Sequence, residues 1–452
     1  MDPRRSQSEA MQSPPEPTGR IDGKLLGDTA WNYGAFALMA GTGVILNFFI
    51  AIRFGVETLG IFNQIYAVYI VAAQLAVFGI HDSAQKHTAE HGGAAARADV
   101  ARSAILLAGV IGGAVAGAVF ALSGWIGALA ESAPVGEGVA LAAPGLLFFA
   151  LNKVLMGILN GQRRMKAFAV AQSFRVLTIL AFAFLVAAMD WPGHVLGAGF
   201  SVAEVLLFPP LMVLIKPWRA ELSAAEGART WIRRHLDFGT KALPNGFLAE
   251  SYIRVDILML ALFVDDAAVG VYSFAAMFIE GLYQVPAVVR TVVNPVLVRL
   301  AAAGDMTELA RFGRRIMAMS FAIFLAAAAA ALLIFPYLGP FFPDDLVARS
   351  YPVLMVLTGG LALYAAFVPL DFLLMQAGQP GWQSGLMTVN IAINAGLNVA
   401  LIPLFGITGA AMATAIAFAL SGVTLNVAVW SRLGLKGGFL LAGTRLAPLK
   451  SK

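Results

Sequence analysis

Residues 316–336 read IMAMSFAIFLAAAAAALLIFP, a long run without a single charged side chain. An α-helix rises about 1.5 Å per residue, so about 20 apolar residues cross the hydrocarbon core of a bilayer. The run is apolar on every face, whereas a transmembrane strand alternates in polarity from residue to residue. The stretch therefore predicts a transmembrane α-helix.

The same pattern recurs along the whole chain of 452 residues. Hydrophobic residues make up 59% of it and charged residues 13%, with a mean hydropathy of +0.78. An average soluble domain has about 25% charged residues, so the composition argues against a soluble enzyme and against a disordered chain. Twelve apolar segments predict an all-α, polytopic membrane protein: 30–51, 57–80, 103–123, 138–158, 167–189, 194–215, 241–264, 269–293, 316–336, 352–375, 383–403 and 408–430.

The basic residues indicate how the predicted helices are oriented. With the N-terminus in the cytoplasm, every inner segment carries at least three basic residues, and the outer loops carry only Arg53 and Arg349. Cytoplasmic loops of membrane proteins are rich in Lys and Arg. The sequence therefore predicts a multi-pass membrane protein with both termini in the cytoplasm. The same bias explains the pI of 9.4 without any nucleic-acid partner.

The longest internal hydrophilic segment divides the chain into two halves. It lies after the sixth predicted span and separates six spans from six. The predicted organisation is a disordered cytoplasmic tail, a six-helix bundle, a cytoplasmic linker, a second six-helix bundle and a second cytoplasmic tail: 1–28, 29–215, 216–240, 241–430 and 431–452. The first tail has no apolar core and no cleavage site, which argues against a signal peptide.

The two halves repeat one another at corresponding positions. Three glycines of the first half each match a glycine six spans later. Gly60 of the second span matches Gly270 of the eighth, Gly161 at the end of the fourth matches Gly378 at the end of the tenth, and Gly197 of the sixth matches Gly409 of the twelfth. Because six spans separate each pair, the matched helices point the same way through the membrane. The pattern indicates a parallel repeat of two six-helix bundles, an arrangement typical of secondary transporters with a cavity between the bundles.

One stretch carries a family resemblance. Leu397–Ala411, LNVALIPLFGITGAA, resembles the signature that polysaccharide-biosynthesis flippases carry between their eleventh and twelfth spans. Asp256–Tyr272 and Ala366–Gln379 are also similar to that family, which belongs to the multidrug/oligosaccharidyl-lipid/polysaccharide exporter superfamily. The resemblance implies a non-enzymatic flippase that moves undecaprenyl-pyrophosphate-linked oligosaccharide from the cytoplasmic to the periplasmic leaflet, for cell-surface polysaccharide such as lipopolysaccharide. Lipid II flippases of the superfamily usually have fourteen spans.

Two other functions remain open at this stage. A cation-coupled multidrug antiporter shares the twelve-span layout and should have acidic groups alone in its cavity. A membrane glycosyltransferase or polymerase would need a sizeable outer loop, and the outer loops here are all short. The partners expected of a flippase are lipid-linked oligosaccharide, membrane lipids, and a polysaccharide polymerase with other assembly proteins.

Nine charged residues fall inside the predicted spans. A charge at mid-membrane costs at least about 2.5–3.5 kcal/mol, so such residues usually face a cavity or one another. Four are cationic and five acidic, a balance that does not decide between an anionic and a cationic substrate: Lys153, Arg175, Glu204, Glu250, Arg254, Asp256, Glu280, Arg290 and Asp371.

The seventh span is the richest in charge. Arg254 lies about 20 Å from the cytoplasmic end of this span, near the midplane. Arg can bind two oxygens of a pyrophosphate at once, so Arg254 is the first candidate for the substrate site. Glu250 lies four residues earlier on the same helix face and can pair with it, and Asp256 is a candidate partner for an ion or proton. Alternatively, Glu250, Arg254 and Asp256 hold two helices together.

Further candidates for the substrate site lie on the fifth and eighth spans. Glu280, one turn from Tyr283 and Gln284, forms a polar face suited to sugar hydroxyls or to an interhelical hydrogen-bond cluster. Arg290 and Arg175 either contact substrate or extend to the headgroups at the cytoplasmic side.

The repeat also suggests a gate. Lys153 and Asp371 occupy nearly equivalent positions in the two halves, close to the cytoplasmic ends of their spans, and carry opposite charges. We expect them to close an inner gate in the outward-open state, or else to reach the headgroups separately.

The sequence argues against a metal centre and against ATP. His87–His91, HTAEH, matches a zinc-peptidase pattern, but it lies in a short loop without room for a peptidase domain, so no metal site is expected. No G-x-x-x-x-G-K-[ST] loop is present. We therefore expect no cofactor, and we expect an H⁺ or Na⁺ gradient, or consumption of the product outside, to drive transport.

Overall fold

The structure, a computed structural model, describes residues 23–91, 94–217, 228–304, 306–435 and 437–441. All regular structure in these residues is helical, which confirms the predicted all-α class. The α-helices are α1 Gly23–Phe54, α2 Val56–Val77, α3 Ile80–Glu90, α4 Ala94–Leu129, α5 Ala133–Gly161, α6 Met165–Ala188, α7 Ala198–Ile215, α8 Ala228–Leu260, α9 Asp266–Ala303, α10 Met306–Ile334, α11 Leu346–Ala365, α12 Leu373–Gln376, α13 Pro380–Leu433 and α14 Gly438–Leu441. Short 3₁₀ helices lie at Gly193–Gly197, Phe335–Phe341 and Val368–Leu370.

Several helices continue beyond the predicted boundaries. The first helix begins at Gly23, before the predicted end of the tail at residue 28, and α8 begins at Ala228, inside the predicted linker. Counting apolar residues detects the hydrocarbon part of a helix and misses its polar continuation into the headgroup region. The remaining parts of the predicted tails and linker, 1–22, 218–227, 436 and 442–452, lie outside the described residues.

The helices account for the twelve predicted spans. Ten helical segments are long and apolar enough to cross a membrane. One of them is α13, which covers both the eleventh and the twelfth predicted spans. The seventh predicted span lies in α8, which is long enough to cross but carries too many charged residues to count as apolar. Counting α13 as two crossings and adding α8 brings the total from ten to the twelve predicted spans.

The family signature forms the turn between the two halves of α13. Gly406 has φ 57° and ψ −134°, a backbone conformation that a residue with a Cβ rarely adopts. Three residues later, a Cβ built on Gly409 would lie 2.2 Å from the carbonyl oxygen of Leu401. The chain can therefore reverse within a few residues only because both positions are glycine.

The two bundles meet along α2 and α9, which cross at their first turns. A Cβ built on Gly60 would lie 1.8 Å from the carbonyl oxygen of Asp266, and one built on Gly270 would lie 2.1 Å from that of Val56. Phe48 of α1 packs edge-on against Phe342 at 4.9 Å beside this crossing. The repeat-equivalent glycines thus let the two backbones touch.

A second contact between the bundles involves the first half of α8. His235 in this half bonds to Ser83 of α3 and to Val100 of α4, whereas Asp256 in the second half bonds to Asn398 of α13 in the second bundle. The helix that carries the predicted substrate site is therefore anchored on both halves of the protein.

Candidate functional site

Arg254 lies between the two bundles. Its Nη1 donates to Glu280 Oε1 of α9 at 2.9 Å, and its guanidinium lies over the ring of Tyr66 of α2, 4.7 Å from the ring centre. The Arg254 side chain is 12% exposed and that of Glu280 is 45% exposed. Glu250, the predicted partner of Arg254, lies outside the residues whose side chains are described. The pair with Glu280 was not predicted, because it joins two helices.

A second charge pair lies further along α9. Arg290 Nη1 donates to both carboxylate oxygens of Asp371, at 3.0 and 2.8 Å, and the Tyr283 hydroxyl lies 3.4 Å from Oδ2. The guanidinium of Arg290 also lies over the ring of Phe372. Arg290 therefore does not extend to the headgroups in this conformation. Asp371, predicted to meet Lys153 in the outward-open state, is held here by Arg290.

The two pairs line one side of α9. Glu280, Tyr283 and Arg290 lie at helical spacing on one side of α9, and Gln284 is next to Glu280, four residues later. Ten residues separate Glu280 from Arg290, which corresponds to about 15 Å along the helix axis. Gln284 between them is exposed. This side of α9 therefore carries Arg290 and binds Arg254 of α8 through Glu280.

The first bundle contains a buried charge pair of its own. Arg175 of α6 forms an ion pair with Glu204 of α7, and its Nη2 donates to Glu204 Oε2 at 3.2 Å. Asn152 Nδ2 donates to Glu204 Oε2 at 2.8 Å, and Arg175 and Lys153 both lie over the ring of Phe149. The Arg175 side chain is only 13% exposed, so it does not reach the headgroups. Its pairing neutralises the buried carboxylate.

Asp256 has a different environment. Its Oδ2 accepts hydrogen bonds from the hydroxyls of Tyr272 and Thr414 at 2.9 and 2.6 Å, and its Oδ1 accepts one from Asn398 Nδ2 at 2.9 Å. Asn398 Nδ2 also donates to Asn394 Oδ1 at 2.7 Å. Among the described residues, no basic side chain forms an ion pair with Asp256.

The group around Asp256, which we call the Asp256 cluster, is rich in oxygen and closed to water. Asp256 is 8% exposed, Asn394 3% and Asn398 0%, and the Asn398 Oδ1 atom is buried without a hydrogen-bond partner. Carboxylate, amide and hydroxyl oxygens are the ligands that hard cations prefer. A carboxylate without a cationic neighbour at this depth can be neutralised by a proton or by a bound cation.

The sequence contained a signal for this cluster that we missed. Asn394 and Asn398 are four residues apart in an uncharged predicted span, and Asn398 belongs to the signature stretch. Two amides on one face of a membrane helix indicate a polar partner on a neighbouring helix.

One end of the first bundle is connected to one end of the second through Asp266. Its Oδ1 accepts from Gln64 Nε2 of α2 and its Oδ2 accepts from the Ser132 hydroxyl before α5, both at 2.6 Å. Ser132 also caps α5, since its hydroxyl accepts from the Val135 amide. Together with the glycine crossing, this network keeps the first turns of α2, α5 and α9 together. The sequence did not single out Asp266.

At the opposite end, the start of α8 packs on a group of histidines. His235 bonds through Nδ1 to the Ser83 hydroxyl at 2.8 Å and through Nε2 to the Val100 carbonyl at 3.2 Å. Trp231, one turn earlier, packs against the rings of His87 and His91. Burial lowers the pKa of His235 to about 4.

The HTAEH stretch ends α3 beside this contact. His87 Nδ1 lies 2.9 Å from Glu90 Oε2, and His91 Nδ1 lies 2.9 Å from the His87 carbonyl oxygen. One ligand atom each from His87, Glu90 and His91 lies within 4.8 Å of the others. The expectation that no metal binds here stays a prediction.

The sequence profile of the family described as "Polysaccharide biosynthesis protein" matches residues 25–301, more than half of the chain. The chain belongs to this family. The match begins with α1 and ends near the end of α9, so it covers the whole first bundle, the Arg254 site and the crossing of α2 and α9.

A curated relative extends the similarity over most of the chain. The probable low-salt glycan biosynthesis flippase Agl15 of Haloferax volcanii is 22% identical over 386 residues, which cover 83% of this chain and 77% of the relative.

Solved structures confirm the two-bundle fold. The lipid II flippase MurJ in an inward closed conformation has a TM-score of 0.72 at 16% identity, with 89% of this chain and 87% of that chain covered. A multidrug resistance MATE family transporter in an inward-facing conformation also has a TM-score of 0.72, at 14% identity, with 88% of this chain and 94% of that chain covered. A MATE family transporter in an outward-facing conformation has a TM-score of 0.59 at 15% identity, with 95% and 96% covered.

Proposed function

We propose that this protein is a flippase that moves a lipid-linked oligosaccharide, carried on undecaprenyl pyrophosphate, from the cytoplasmic to the periplasmic leaflet of the inner membrane. Both termini are cytoplasmic in this proposal. Membership of the polysaccharide biosynthesis family and the relation to a glycan flippase support the class of substrate. The observation that carries the proposal is the position of Arg254 between the bundles, paired with a half-exposed carboxylate.

A phosphate ligand could replace Glu280 as the partner of Arg254. Glu280 is far more exposed than Arg254, so a ligand in the cavity can compete for the guanidinium. A pyrophosphate offers two oxygens at the spacing of the guanidinium fork and carries more charge than one carboxylate. Tyr66 supports the guanidinium from the first bundle, so bound phosphate would bridge the two halves of the protein.

The polar face of α9 supports a role for the sugars. Gln284 is exposed between the two charge pairs and can donate to and accept from hydroxyl groups. Arg290 and Arg175 are bound to Asp371 and Glu204 in this conformation. Their proposed contact with substrate would require those carboxylates to be exchanged as well.

The Asp256 cluster is the proposed coupling site. An H⁺ or Na⁺ ion entering it would neutralise Asp256 and hold α8, α9 and α13 together through shared oxygen ligands. Loss of the ion would leave a buried charge and favour a rearrangement of these helices. This would connect an ion gradient to the movement of α8, which carries Arg254.

Access would alternate by rocking of the bundles about their contacts. The crossing of α2 and α9 and the Asp266 network join the outer ends in this conformation. Opening outwards would break them, and Lys153 with Asp371 would then close the inner side. A polysaccharide polymerase and other assembly proteins would act on the product.

The second candidate is a cation-coupled multidrug antiporter. The observation that favours it is Asp256, a buried carboxylate without a basic partner among the described residues, which would attract a cation. Against it, Arg254 brings a cation to the contact between the bundles, which repels a cationic drug.

The test is complementation of a deletion strain. Loss of the protein should cause lipid-linked glycan to accumulate on the cytoplasmic face, and the wild-type chain should restore export. Arg254→Ala should not restore it, whereas Arg53→Ala should, since Arg53 pairs with Asp190 at the outer surface. Unaltered glycan export in the deletion strain, combined with drug sensitivity, would favour the antiporter instead.

A further inference from the structure

Two apolar grooves flank the same half of α6, on the side of the membrane where the turn between α5 and α6 lies. One groove, of about 520 Å³, separates α6 from α7 and is lined by Val170, Phe174, Leu207 and Leu211. The other, of about 730 Å³, separates α6 from α1. Val170 and Phe174 line both, so the grooves meet on α6.

The side chains on this part of α6 form an apolar stripe directed away from the protein. Val170, Phe174 and Leu177 recur at helical spacing and are each at least 40% exposed. Trp31 and Leu38 on the facing part of α1 are also more than 40% exposed. In a membrane-spanning chain, exposed apolar side chains between helices contact lipid chains.

The end of the first groove is strongly basic. Arg163 and Arg164 precede α6 and Lys166 lies in its first turn, and all three line the groove. Among the described residues, no Asp or Glu lines either groove. An apolar channel that ends in three positive charges complements a molecule with an acyl chain and an anionic head.

These cations also hold the walls of the grooves in position. Arg164 Nη1 donates to the carbonyl oxygen of Leu214 at 3.2 Å, which joins α6 to the end of α7. Lys166 Nζ lies 5.0 Å from the ring centre of Trp31, which joins α6 to α1. A guanidinium has five N–H donors, so these contacts leave donors for a phosphate.

We propose that the grooves beside α6 form a binding site for an anionic phospholipid of the adjacent leaflet. Its phosphate lies among Arg163, Arg164 and Lys166, and an acyl chain follows Val170 and Phe174 between the helices. In the proposed orientation this is the cytoplasmic leaflet. The lipid connects α1, α6 and α7, whose contacts with one another are interrupted by the grooves.

Net positive charge alone does not account for this site. Arg311, Arg314 and Arg315 form another basic triplet, on α10, and no residue of that triplet lines either groove. The two triplets carry equal charge on the same predicted side of the membrane. They differ in the apolar channel beside them and in the ion pair of Arg311 with Glu308, and the α10 triplet serves as the control for formal charge.

The experiment titrates the purified full-length protein in a non-ionic detergent with phosphatidylglycerol or with phosphatidylcholine of the same acyl chains. Bound lipid is counted by native mass spectrometry on the monodisperse fraction of each variant. Removing three basic residues near a lipid headgroup should weaken binding of the anionic lipid about 100-fold in R163Q/R164Q/K166Q. The control R311Q/R314Q/R315Q should stay within about 3-fold of wild type.

A second variant tests the chain-binding part separately. Val170→Trp fills the junction of the grooves and keeps all basic residues, so it should also weaken phosphatidylglycerol binding. Equal losses of phosphatidylglycerol binding in the two triple variants would overturn the proposal. Binding of phosphatidylcholine by the wild type as tightly as phosphatidylglycerol would also overturn it. Displacement of the lipid by inorganic phosphate alone would overturn it too. Binding in detergent requires no transport and no orientation, so this result is independent of the proposed function.

Discussion

Gly60 and Gly270 lie against each other at the crossing of α2 and α9, at equivalent positions of the two repeats. A Cβ on Gly60 would lie 2.8 Å from the amide nitrogen of Gly270, and one on Gly270 would lie 3.1 Å from that of Gly60. The internal repeat therefore has a direct structural use: each half supplies one glycine to a contact that neither half could form with a larger residue.

The first prediction concerns this contact. Gly60→Val should prevent the outer ends from closing, because the added side chain would overlap the carbonyl of Asp266. The chain has no cysteine, so Gln284→Cys provides a single exposed reporter on α9, beside Glu280. We expect the reporter to react faster with a membrane-impermeant thiol reagent added outside, and export to fall.

The control is Gly339→Val, at a position where a Cβ meets nothing within 4 Å. If Gly60→Val leaves both labelling and export at the level of this control, α2 and α9 do not form the outer closure.

The second prediction concerns Asp266. Asp266→Ala removes two hydrogen bonds to an ionised group, each worth about 1.5–3 kcal/mol, from the outer contact between the bundles. The outward-open population should rise, which the Gln284→Cys reporter detects from outside.

Asp265→Ala is the matched control for Asp266. The neighbouring Asp265 accepts from the Ala268 amide at 2.7 Å, so its loss weakens the start of α9 and leaves the contact between the bundles intact. Equal labelling of the two alanine variants would show that helix capping, and not the link between bundles, controls opening.

The third prediction concerns the Asp256 cluster. Asp256→Asn keeps the size of the side chain and removes the charge that a coupling ion would neutralise. Transport in vesicles should then lose its dependence on the H⁺ or Na⁺ gradient that drives the wild type. Glu204→Gln, which changes a buried carboxylate already neutralised by Arg175, should retain that dependence. Retained dependence in Asp256→Asn would exclude the cluster as the coupling site.

The fourth prediction concerns His235. Its pKa is about 4 in the folded protein, below the ordinary value of about 6.5, so the unfolded state binds more protons between these values. The free energy of unfolding should therefore fall as the pH drops through this window, by up to about 1.4 kcal/mol per pH unit. Above about pH 6.5 this stability is fully present.

Thermal unfolding in detergent measures this effect. His235→Gln removes the titrating group, so its melting temperature should decrease less than that of the wild type between about pH 7 and about pH 5. Parallel pH profiles of the two proteins would contradict the assignment. His194→Gln, outside the contact of α8 with α3, serves as control.

Much of the fold could be predicted because membrane helices are encoded locally. An apolar run such as Ile316–Pro336 predicts its own helix, and the glycine pairs revealed the two halves. The contacts within the candidate site could be predicted less well from the sequence. Helical spacing suggested Glu250 as the partner of Arg254, but the described partner is Glu280 on another helix. Contacts between helices depend on their packing, which residue spacing along one helix does not contain.

The Asp256 cluster illustrates the same limit. Asp256 was recognisable as a charge in a span, whereas Tyr272, Asn398 and Thr414 are neutral residues on two other helices. Neutral polar residues occur in membrane helices for many reasons, so their role became visible only from their shared contact with one carboxylate. Conversely, Lys153 and Asp371 were paired from the repeat alone, and their meeting in the outward-open state stays a prediction.

The most direct test of the central claim measures transfer of a pyrophosphate-linked oligosaccharide lipid across the bilayer of proteoliposomes. The wild type, Arg254→Ala, Arg254→Lys and Arg53→Ala are compared at equal reconstitution. Loss of hydrogen bonds between charged groups should slow Arg254→Ala at least about 10-fold, with Arg254→Lys between it and the wild type. Arg53→Ala should match the wild type. Transfer by Arg254→Ala at the wild-type rate would contradict the assignment of Arg254 to the substrate.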